Sequence, residues 1–322
     1  MSSSASNSDK ASGVVQETIK QFLSPVNAFL EDPTVSEILI NGYQEIFDER
    51  KGKLERVDAR FADDDSLMAA INNIARSVER RIDRDNPRLD ARLPGGSRIA
   101  AVFPPCSRKG PIMSIRKFTN NKITFQDYIR FGAITPDAAM FLEISMFLGK
   151  NILVSGGTGS GKTTLLGLLC SRIPKGQRII VIEDSSELEI NYEHMVNFEK
   201  KEADSQGKGE VTIQDLLKSS LRLRPDRIIV GEVRGAEALE LINAMNTGHK
   251  GCLGTIHANS PADAIVRLEA LAQGGENKIS EKALRYQVGS AIELIIQVSR
   301  YSDGSRKIAQ IAEVRGFLPD GS

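Results

Sequence analysis

Aromatic residues are scarce in this sequence, and tryptophan is missing. Phe, Trp and Tyr make up only 5% of the 322 residues, whereas single-stranded nucleic acids are commonly held by stacking of their bases on aromatic rings. There is also no excess of positive charge, because 42 Lys and Arg residues are balanced by 42 Asp and Glu residues. Without that excess the chain has no overall attraction to a phosphate backbone. The composition therefore argues against a nucleic-acid-binding protein.

Cysteines and long apolar stretches are rare as well. Cys106, Cys170 and Cys252 are far apart and form no Cys-x-x-Cys pair, which argues against a zinc ribbon or a disulfide framework and favours a reducing compartment. No apolar run approaches the ~18 residues of a membrane span. The polar opening MSSSASNSDKASG lacks the apolar core of a secretory signal. We therefore predict a cytoplasmic protein with a disordered tail at residues 1–13.

Two different secondary-structure patterns predict two folded parts. Residues 14–118 combine short alternating strands with one amphipathic helix, as in a small α+β domain with an antiparallel sheet. Residues 119–126, TNNKITFQ, are polar and predict a linker. Residues 127–322 alternate apolar runs with helical segments, as in an α/β domain whose mostly parallel sheet has helices on both faces. The predicted strands are 37–41, 45–49, 53–58, 97–103, 112–118, 151–156, 178–183, 227–232 and 252–257, and the predicted helices include 64–81, 212–224 and 260–273.

The segment GGTGSGKT, residues 156–163, carries the strongest functional signal. It matches G-x-x-x-x-G-K-[ST] in full and lies between an apolar strand and a helical segment, the context in which this motif binds phosphates. Glycines let backbone N–H groups surround a phosphate, and the following helix N-terminus adds positive potential. Lys162 is expected to reach the β and γ oxygens, and the Thr163 hydroxyl to bind Mg²⁺. The predicted nucleotide-binding residues are Gly157, Thr158, Gly159, Ser160, Gly161, Lys162, Thr163 and Thr164.

Acidic residues end two of the predicted strands. Glu232 follows RIIVG, and Glu183 and Asp184 end RIIVIED, with Glu187 shortly after them. Open α/β sheets bind their ligands at the carboxyl ends of the strands. Two acidic strand ends beside a phosphate loop favour a site for metal and water. A solvated acidic turn is the alternative explanation for the run EDSSELE.

Two of the three histidines flank the apolar run GCLG. His249 precedes it and His257 follows it. A histidine at the carboxyl end of a strand can donate a hydrogen bond to the γ-phosphate and so respond to its loss. The alternative is a structural histidine that bonds a loop carbonyl.

Taken together, four motifs resemble those of the secretion ATPase superfamily. GGTGSGKTT, EDSSELE, RIIVGEVRG and TGHKGCLGTIHANSPADAIVRLEAL are similar, in this order, to its phosphate loop, Asp box, Walker B strand and His box. Its members are hexameric motors of type II and type IV secretion, type IV pili and archaeal flagella. The first half is most similar to the CpaF/TadA branch, which drives tight-adherence or Flp pili, through DPTVSEILING, ERKGKLERVDARF, LDARLPGGSRIAAVFPP and GPIMSIRKF. With VGSAIELIIQVSRYSDGSRKI, the likeness covers residues 20–316.

The resemblance implies a RecA-like fold for the second part, with ATP and Mg²⁺ as cofactors. Glu232 corresponds to the Walker B glutamate, which activates or orients water, and His257 to a sensor of the γ-phosphate. The Asp box helps to order Mg²⁺ and water. The implied metal residues are therefore Thr163, Glu183 and Asp184, and the implied catalytic residues include Lys162, Glu187, Glu232 and His257.

Arginines complete the implied site. Secretion ATPases place arginines of the first domain over the phosphates, and the resemblance implies this role for Arg98 and Arg116. Arg222, Arg224 and Arg234 are candidates from the second domain, acting within one subunit or on a neighbour. A surface or structural ion pair is the alternative for each of the five.

The implied function is that of a mechanical ATPase. The resemblance predicts a homohexamer that works with platform proteins of the inner membrane, is attached there peripherally without a membrane span, and powers assembly of a Flp pilus. A type IV secretion ATPase moving protein or DNA is the alternative closest to this. A nucleic-acid translocase and a non-hydrolysing nucleotide sensor are two further alternatives.

Overall fold

A computed structural model describes residues 19–50, 52–78, 80–93, 96–117, 123–188, 190, 192–203, 208–274 and 279–316. The chain divides into two compact units, the first ending at residue 121 and the second beginning at residue 122. The predicted tail, residues 1–13, and the first half of the predicted linker, 119–122, lie outside the described residues. The domain limits 14–118, 119–126 and 127–322 stay predictions. Among the described helices, none is long and apolar enough to cross a membrane.

The first unit contains a six-stranded antiparallel sheet. A 3₁₀ turn, Ser24–Val26, precedes α1 (Asn27–Glu31), β1 (Val35–Asn41), β2 (Ile46–Arg50), β3 (Lys53–Arg56), α2 (Asp64–Ser77), β4 (Arg88–Arg92), β5 (Arg98–Val102) and β6 (Ile112–Arg116). The strand order is β3-β2-β1-β6-β5-β4, and every neighbouring pair is antiparallel. The antiparallel sheet is therefore confirmed. Strand β4 was not predicted, because its residues RLDAR are mostly charged.

Helix α2 supplies much of the core of this unit. The Asp63 carboxylate accepts the Ser66 N–H, which caps the helix N-terminus. Leu67, Ile71 and Ile74 recur at helical spacing and are fully buried. They belong to the same core as Ile38 and Ile40 of β1 and Ile99 and Ala101 of β5, where every second side chain is buried.

The second unit is an α/β layer structure with a seven-stranded sheet. Its elements are α3 (Phe125–Arg130), α4 (Pro136–Leu148), β7 (Ile152–Gly156), α5 (Lys162–Cys170), β8 (Ile179–Glu183), β9 (Met195–Glu199), α6 (Ile213–Ser220), β10 (Arg227–Val230), α7 (Glu237–Asn246), β11 (Leu253–Ile256), α8 (Pro261–Gln273), α9 (Glu281–Ala291), β12 (Leu294–Arg300) and β13 (Arg306–Glu313). The strand order is β13-β12-β7-β11-β10-β8-β9. All neighbours are parallel except β13, which pairs antiparallel with β12 at one edge.

Helices cover both faces of this sheet. Ile152 and Val154 of β7 lie in one core cluster with residues of α4 and α5, whereas Leu153 lies in a second cluster with residues of α6, α7, α8 and α9. Because strand side chains alternate between faces, a strand with both faces covered must be apolar throughout. This explains the uninterrupted apolar runs, and it confirms the predicted mostly parallel α/β domain.

Helix ends follow the capping residues in the sequence. Thr212 caps α6 in a reciprocal pair with Asp215, and the Ser260 hydroxyl accepts the Asp263 N–H at the start of α8. Helix α6 ends at Ser220, so the prediction that it extends to residue 224 is wrong. A proline disfavours the helical conformation of the residue before it, because its ring clashes with the backbone of that residue. Arg224 precedes Pro225 and has a left-handed φ of 54°.

Candidate functional site

The phosphate loop connects β7 to α5. Gly159 and Gly161 have φ angles of +68° and +95°, which a residue with a side chain rarely adopts. Lys162 Nζ donates to the carbonyl oxygens of Gly156 and Gly157, both at 3.0 Å. Burial lowers the pKa of this lysine. The ammonium group therefore occupies the loop at a helix N-terminus, where anions are favoured, and it can exchange carbonyl partners for phosphate oxygens.

The strand order brings three separate sequence segments beside this loop. Strand β11 lies next to β7, β10 next to β11, and β8 next to β10, all parallel. Their carboxyl ends therefore lie along one edge of the sheet. His257 follows β11, Glu232 follows β10, and Asp184 follows β8. The candidate site is this edge together with the phosphate loop.

A continuous line of polar contacts, called the ion-pair chain below, joins the loop to the strand ends. His257 Nδ1 lies 3.4 Å from Lys162 Nζ, and His257 Nε2 lies 2.9 Å from Glu232 Oε1. Glu232 Oε2 accepts a hydrogen bond of 2.6 Å from Arg234 Nη2. Arg234 Nη1 donates to Asp184 Oδ2 at 3.1 Å. The chain thus consists of Lys162, His257, Glu232, Arg234 and Asp184.

Burial and the neighbouring cations favour the neutral form of the histidine in this chain, against the effect of the Glu232 charge. Burial lowers the pKa of His257, and the Lys162 charge lowers it further. Burial alone would raise the pKa of Glu232, but the Arg234 bond and the neighbouring cations bring it below its usual value. An ammonium group only donates and a carboxylate only accepts. A neutral His257 with its proton on Nε2 satisfies both neighbours.

The acids that follow β8 are not equivalent. Asp184 belongs to the ion-pair chain and also pairs with Lys200. Glu183 is only 3% exposed, and its Oε1 accepts the backbone N–H groups of Glu187 and Leu188, each at 3.0 Å. The carboxylate of Glu183 thus bonds the backbone of the loop that follows its own strand. Its predicted metal role, like those of Asp184 and Thr163, stays a prediction.

The donors at this edge fit a magnesium ion. Mg²⁺ typically takes a hydroxyl or one or two carboxylates from the protein and completes its shell with phosphate oxygens and water. Thr163 lies in the first turn of α5, and Asp184 and Glu232 lie at the neighbouring strand ends. Within the described ranges no three His, Cys, Asp or Glu side chains form a closed metal site. This donor set suits a metal that arrives with a nucleotide.

A sequence profile of the type II/IV secretion system protein family matches residues 20–314. The chain belongs to this family. The conjugal transfer protein TrbB of Rhizobium radiobacter is 34% identical over 292 residues, covering 89% of this chain and 86% of that one. The VirB11 ATPase of the Brucella suis type IV secretion system, solved with sulphate, is 29% identical over 95% of this chain and 97% of its own, with a TM-score of 0.50.

The fold is also that of the pilus retraction motor PilT, solved with ADP. The match with PilT covers 92% of this chain and 82% of PilT, at 22% sequence identity and with a TM-score of 0.62. The RecA-like fold predicted for the second unit is therefore that of the family. ATPases are among the relatives of known structure, and the phosphate loop is in place. Family membership therefore supports nucleotide binding by this chain.

The other predicted residues of this secretion family member belong to the first unit or to the far end of β11. Arg98 and Arg116 stand opposite each other on β5 and β6 of the first unit, and their role over the phosphates stays a prediction. His249 lies at the amino end of β11, where its ring contacts the Ala244 carbonyl at the end of α7. Of the two histidines, the structure brings only His257 to the phosphate loop.

Of four further predicted residues, one is buried in the phosphate loop and three are exposed. Ser160 is buried, and its hydroxyl donates to the Gly157 carbonyl at 2.9 Å, so it shapes the phosphate loop from within. Thr164 is exposed in the first turn of α5. Arg222 and Arg224 are exposed beyond the end of α6. Arg234 alone among the second-unit arginine candidates belongs to the ion-pair chain.

One contact to the phosphate loop was missed by the sequence analysis. Arg306, the first residue of β13, donates from Nε to the Gly159 carbonyl at 2.8 Å. Because the peptide unit is planar and trans, holding the Gly159 carbonyl also fixes the direction of the Ser160 N–H, which donates to the Gly157 carbonyl at 3.4 Å. No local pattern links it to the loop, since the two are separated by 147 positions.

Proposed function

We propose that this chain is an ATP-hydrolysing motor of a type IV secretion or conjugal transfer system. The ion-pair chain carries this proposal, because it connects the phosphate-binding lysine to an ionised carboxylate beside the phosphate loop. TrbB at 34% and the Brucella VirB11 ATPase at 29% identity support the type of machine. The pilus motor PilT is more distant, at 22%.

In the proposed mechanism Lys162 exchanges the Gly156 and Gly157 carbonyls for oxygens of the β- and γ-phosphates. Glu232 orients the attacking water with its ionised carboxylate, and Arg234 holds that carboxylate in place. Mg²⁺, held by Thr163 with Asp184 in reach, would supply positive charge to the phosphate oxygens. Because His257 contacts both Lys162 and Glu232, a shift of the lysine is passed on to the carboxylate.

We further propose a homohexamer acting peripherally at the inner membrane on platform proteins of the secretion machine. The family resemblance of the sequence supports the ring, and it implies for Arg98 and Arg116 the role of phosphate-binding arginines. Assembly of a Flp pilus is the second candidate. It is favoured by the likeness of residues 89–105 and 110–118 to the CpaF/TadA branch.

Replacing the proposed water-orienting acid tests the activity. Glu232→Gln keeps the size of the side chain and removes its charge, so we expect kcat to fall by about 10²- to 10⁴-fold, the usual contribution of a positioned base. Binding of a fluorescent ATP analogue should stay within about threefold, because Lys162 and the loop are unchanged. Glu269→Gln, on α8, is the control. Full turnover by the Glu232 variant would disprove the assigned role.

The type of machine is tested in the source cell. When the Glu232→Gln variant is expressed in cells that also contain the wild-type protein, it should block conjugal transfer or protein secretion, measured in a donor–recipient or secretion assay. Normal transfer together with loss of surface pili would support the Flp-pilus candidate instead. ATP hydrolysis stimulated strongly by DNA and weakened steeply by salt would point to a translocase.

A further inference from the structure

We infer that Glu183 is a positioning residue, and that position 231 is glycine because Glu183 occupies the space of its side chain. This inference rests on the proposed ATPase function and assigns to Glu183 a different task from metal binding. Many ATPases have an acid on the Walker B strand where this chain has Gly231. The geometry points to a tight fit between two neighbouring strands, called the Gly231–Glu183 contact below.

The space at position 231 is already filled. A Cβ atom added to Gly231 would lie 2.8 Å from Glu183 Cγ, 3.4 Å from its Oε1 and 3.5 Å from its Cβ. The first distance is well inside van der Waals contact. Gly231 has an ordinary φ, so its backbone does not demand glycine. The close approach of the Glu183 side chain is what requires glycine at position 231.

Neither backbone can move aside easily. Gly231 N donates to the Ile182 carbonyl at 2.9 Å, and the Gly231 carbonyl accepts the Thr255 hydroxyl at 2.7 Å. On the other side of β8, Lys200 N donates to the Glu183 carbonyl at 3.1 Å. Both residues are therefore tied to neighbouring strands of a packed sheet. A side chain at 231 would have to displace the Glu183 side chain itself.

Displacing that side chain would release the loop after β8. Glu183 Oε1 holds the N–H groups of Glu187 and Leu188 at 3.0 Å each, and charge-assisted hydrogen bonds of this kind are among the stronger ones. The loop begins with Asp184, which bonds Arg234 at 3.1 Å, and Arg234 bonds Glu232 at 2.6 Å. Glu183 thus acts on Glu232 through the loop and the ion-pair chain.

Gly231→Ala is the first test variant. It leaves every proposed catalytic side chain unchanged, yet we expect kcat to fall on the order of 100-fold, because a displacement of about 1 Å has that effect on a preorganised site. Gly254→Ala on β11 is the matched control. The three heavy atoms nearest to its added Cβ are side-chain carbons of Leu241, Val233 and Leu153 at 3.4, 3.5 and 3.7 Å, which is ordinary contact.

Hydrogen–deuterium exchange gives a readout that does not depend on turnover. We expect Gly231→Ala and Glu183→Ala to accelerate exchange at the amides of Glu187 and Leu188, and Gly254→Ala to leave it unchanged. Glu183→Gln retains an oxygen that can accept both N–H groups, so it should preserve most of the protection. A uniform rise in exchange across the sheet would instead mean general destabilisation and would overturn the inference.

A double variant separates the contact from metal binding. Once Glu183→Ala has opened the space, adding Gly231→Ala should cost less than about threefold in kcat, far from additive. The Mg²⁺ concentration for half-maximal nucleotide binding should stay within about twofold in Glu183→Gln. Loss of a metal ligand would raise it by more than the roughly 10- to 100-fold that is typical of removing a residue that only supports a ligand. That rise, or simple additivity in the double variant, would overturn the inference.

The two proposals fail in different ways. If the wild-type protein does not hydrolyse ATP, the proposed function is wrong, while the exchange measurement still tests the Gly231–Glu183 contact. If Glu232→Gln abolishes turnover but Gly231→Ala changes neither turnover nor loop exchange, the proposed function stands and the contact has no positioning role.

Discussion

At the residue scale, the neutral His257 is the part of the site that is most sensitive to pH. His257 lies between a group that only donates, Lys162, and an ionised group that accepts, Glu232. Its Nε2 proton and Nδ1 lone pair match these two neighbours. A second proton on Nδ1 would point toward the ammonium group of Lys162 and repel it. The site is therefore arranged for the unprotonated ring.

This arrangement predicts how stability depends on pH. Burial and Lys162 place the pKa of His257 in the folded protein below its ordinary value of 6.5. As the pH falls through 6.5, the unfolded chain takes up this proton first. The contribution of His257 to stability therefore decreases between pH 6.5 and its lower folded pKa, and this histidine adds no further loss below that. The measurement is the urea midpoint over a pH series.

A histidine variant supplies the comparison. In His257→Gln the loss of stability below pH 6.5 should be smaller than in the wild type, because one proton-linked group is gone. Equal slopes in the wild type and His257→Gln would contradict the assigned protonation state.

At the element scale, β10 begins with an unusual buried cation. Arg227 is 3% exposed, and its Nε donates to Gln177 Oε1 at 2.7 Å and its Nη2 to the Met146 carbonyl at 3.1 Å. Burial lowers the pKa of this guanidinium. Gly251 leaves the room for it, since a Cβ there would lie 1.4 Å from Arg227 Nη1. The start of β10 and the turn before β11 therefore depend on each other.

Gly251→Ala should consequently destabilise the second unit strongly. Displacing the buried guanidinium would break its hydrogen bonds, each of which is worth about 1.5–3 kcal/mol because the donor is charged. Gly132→Ala is the matched control, because its φ of +66° is close to the +69° of Gly251 but its Cβ would have no neighbour within 4 Å. It should cost only about 1–2 kcal/mol of left-handed strain. Equal shifts in the chemical denaturation midpoint would contradict the packing argument.

The same scale shows what sequence patterns can predict. The apolar runs at β7, β8, β10 and β11 were predicted because each strand is covered on both faces. Strand β12 was not, since Gln297 interrupts its apolar run. That glutamine is buried and bonds Ser155 and the Ala258 carbonyl, partners that only the folded sheet supplies.

Individual site residues show a similar limit. The motifs pointed to Lys162, Glu232 and His257, because local spacing defines them. Nothing local distinguishes Glu183 from Asp184, since their difference arises from what surrounds the end of β8. Arg306 contacts Gly159 from the β12–β13 hairpin, which is distant in sequence, and no local residue pattern predicts such a contact.

At the scale of the whole molecule, α4 presents an apolar face to solvent. Its exposed side chains are Met140 at 58%, Phe141 at 46%, Ile144 at 51%, Phe147 at 71% and Leu148 at 60%. They recur at helical spacing, so they form one stripe. Contiguous apolar patches on soluble proteins mark association surfaces. In the proposed ring, we expect this stripe to contact a second copy of the chain.

Polar substitution of the stripe tests the proposed self-association. Ile144→Ser with Phe147→Ser should shift the protein toward monomers in analytical ultracentrifugation with a non-hydrolysable ATP analogue, because interface aromatics carry much of the binding energy. Val266→Ser on α8 removes an equally exposed apolar residue, 65% accessible, and should leave assembly unchanged. An intact hexamer in the double variant would assign the stripe to another partner.

The position of β7 inside its sheet also has a consequence for the newly made chain. Residues 152–156 emerge early from the ribosome, but their two neighbours, β11 and β12, are synthesised later, at residues 253–256 and 294–300. The strands of the first unit, by contrast, mostly pair with strands close in sequence. Chains emerge at about 5–20 residues per second. The sheet around β7, and with it the nucleotide site, should therefore be completed several seconds after β7 itself, once residues 294–300 have emerged.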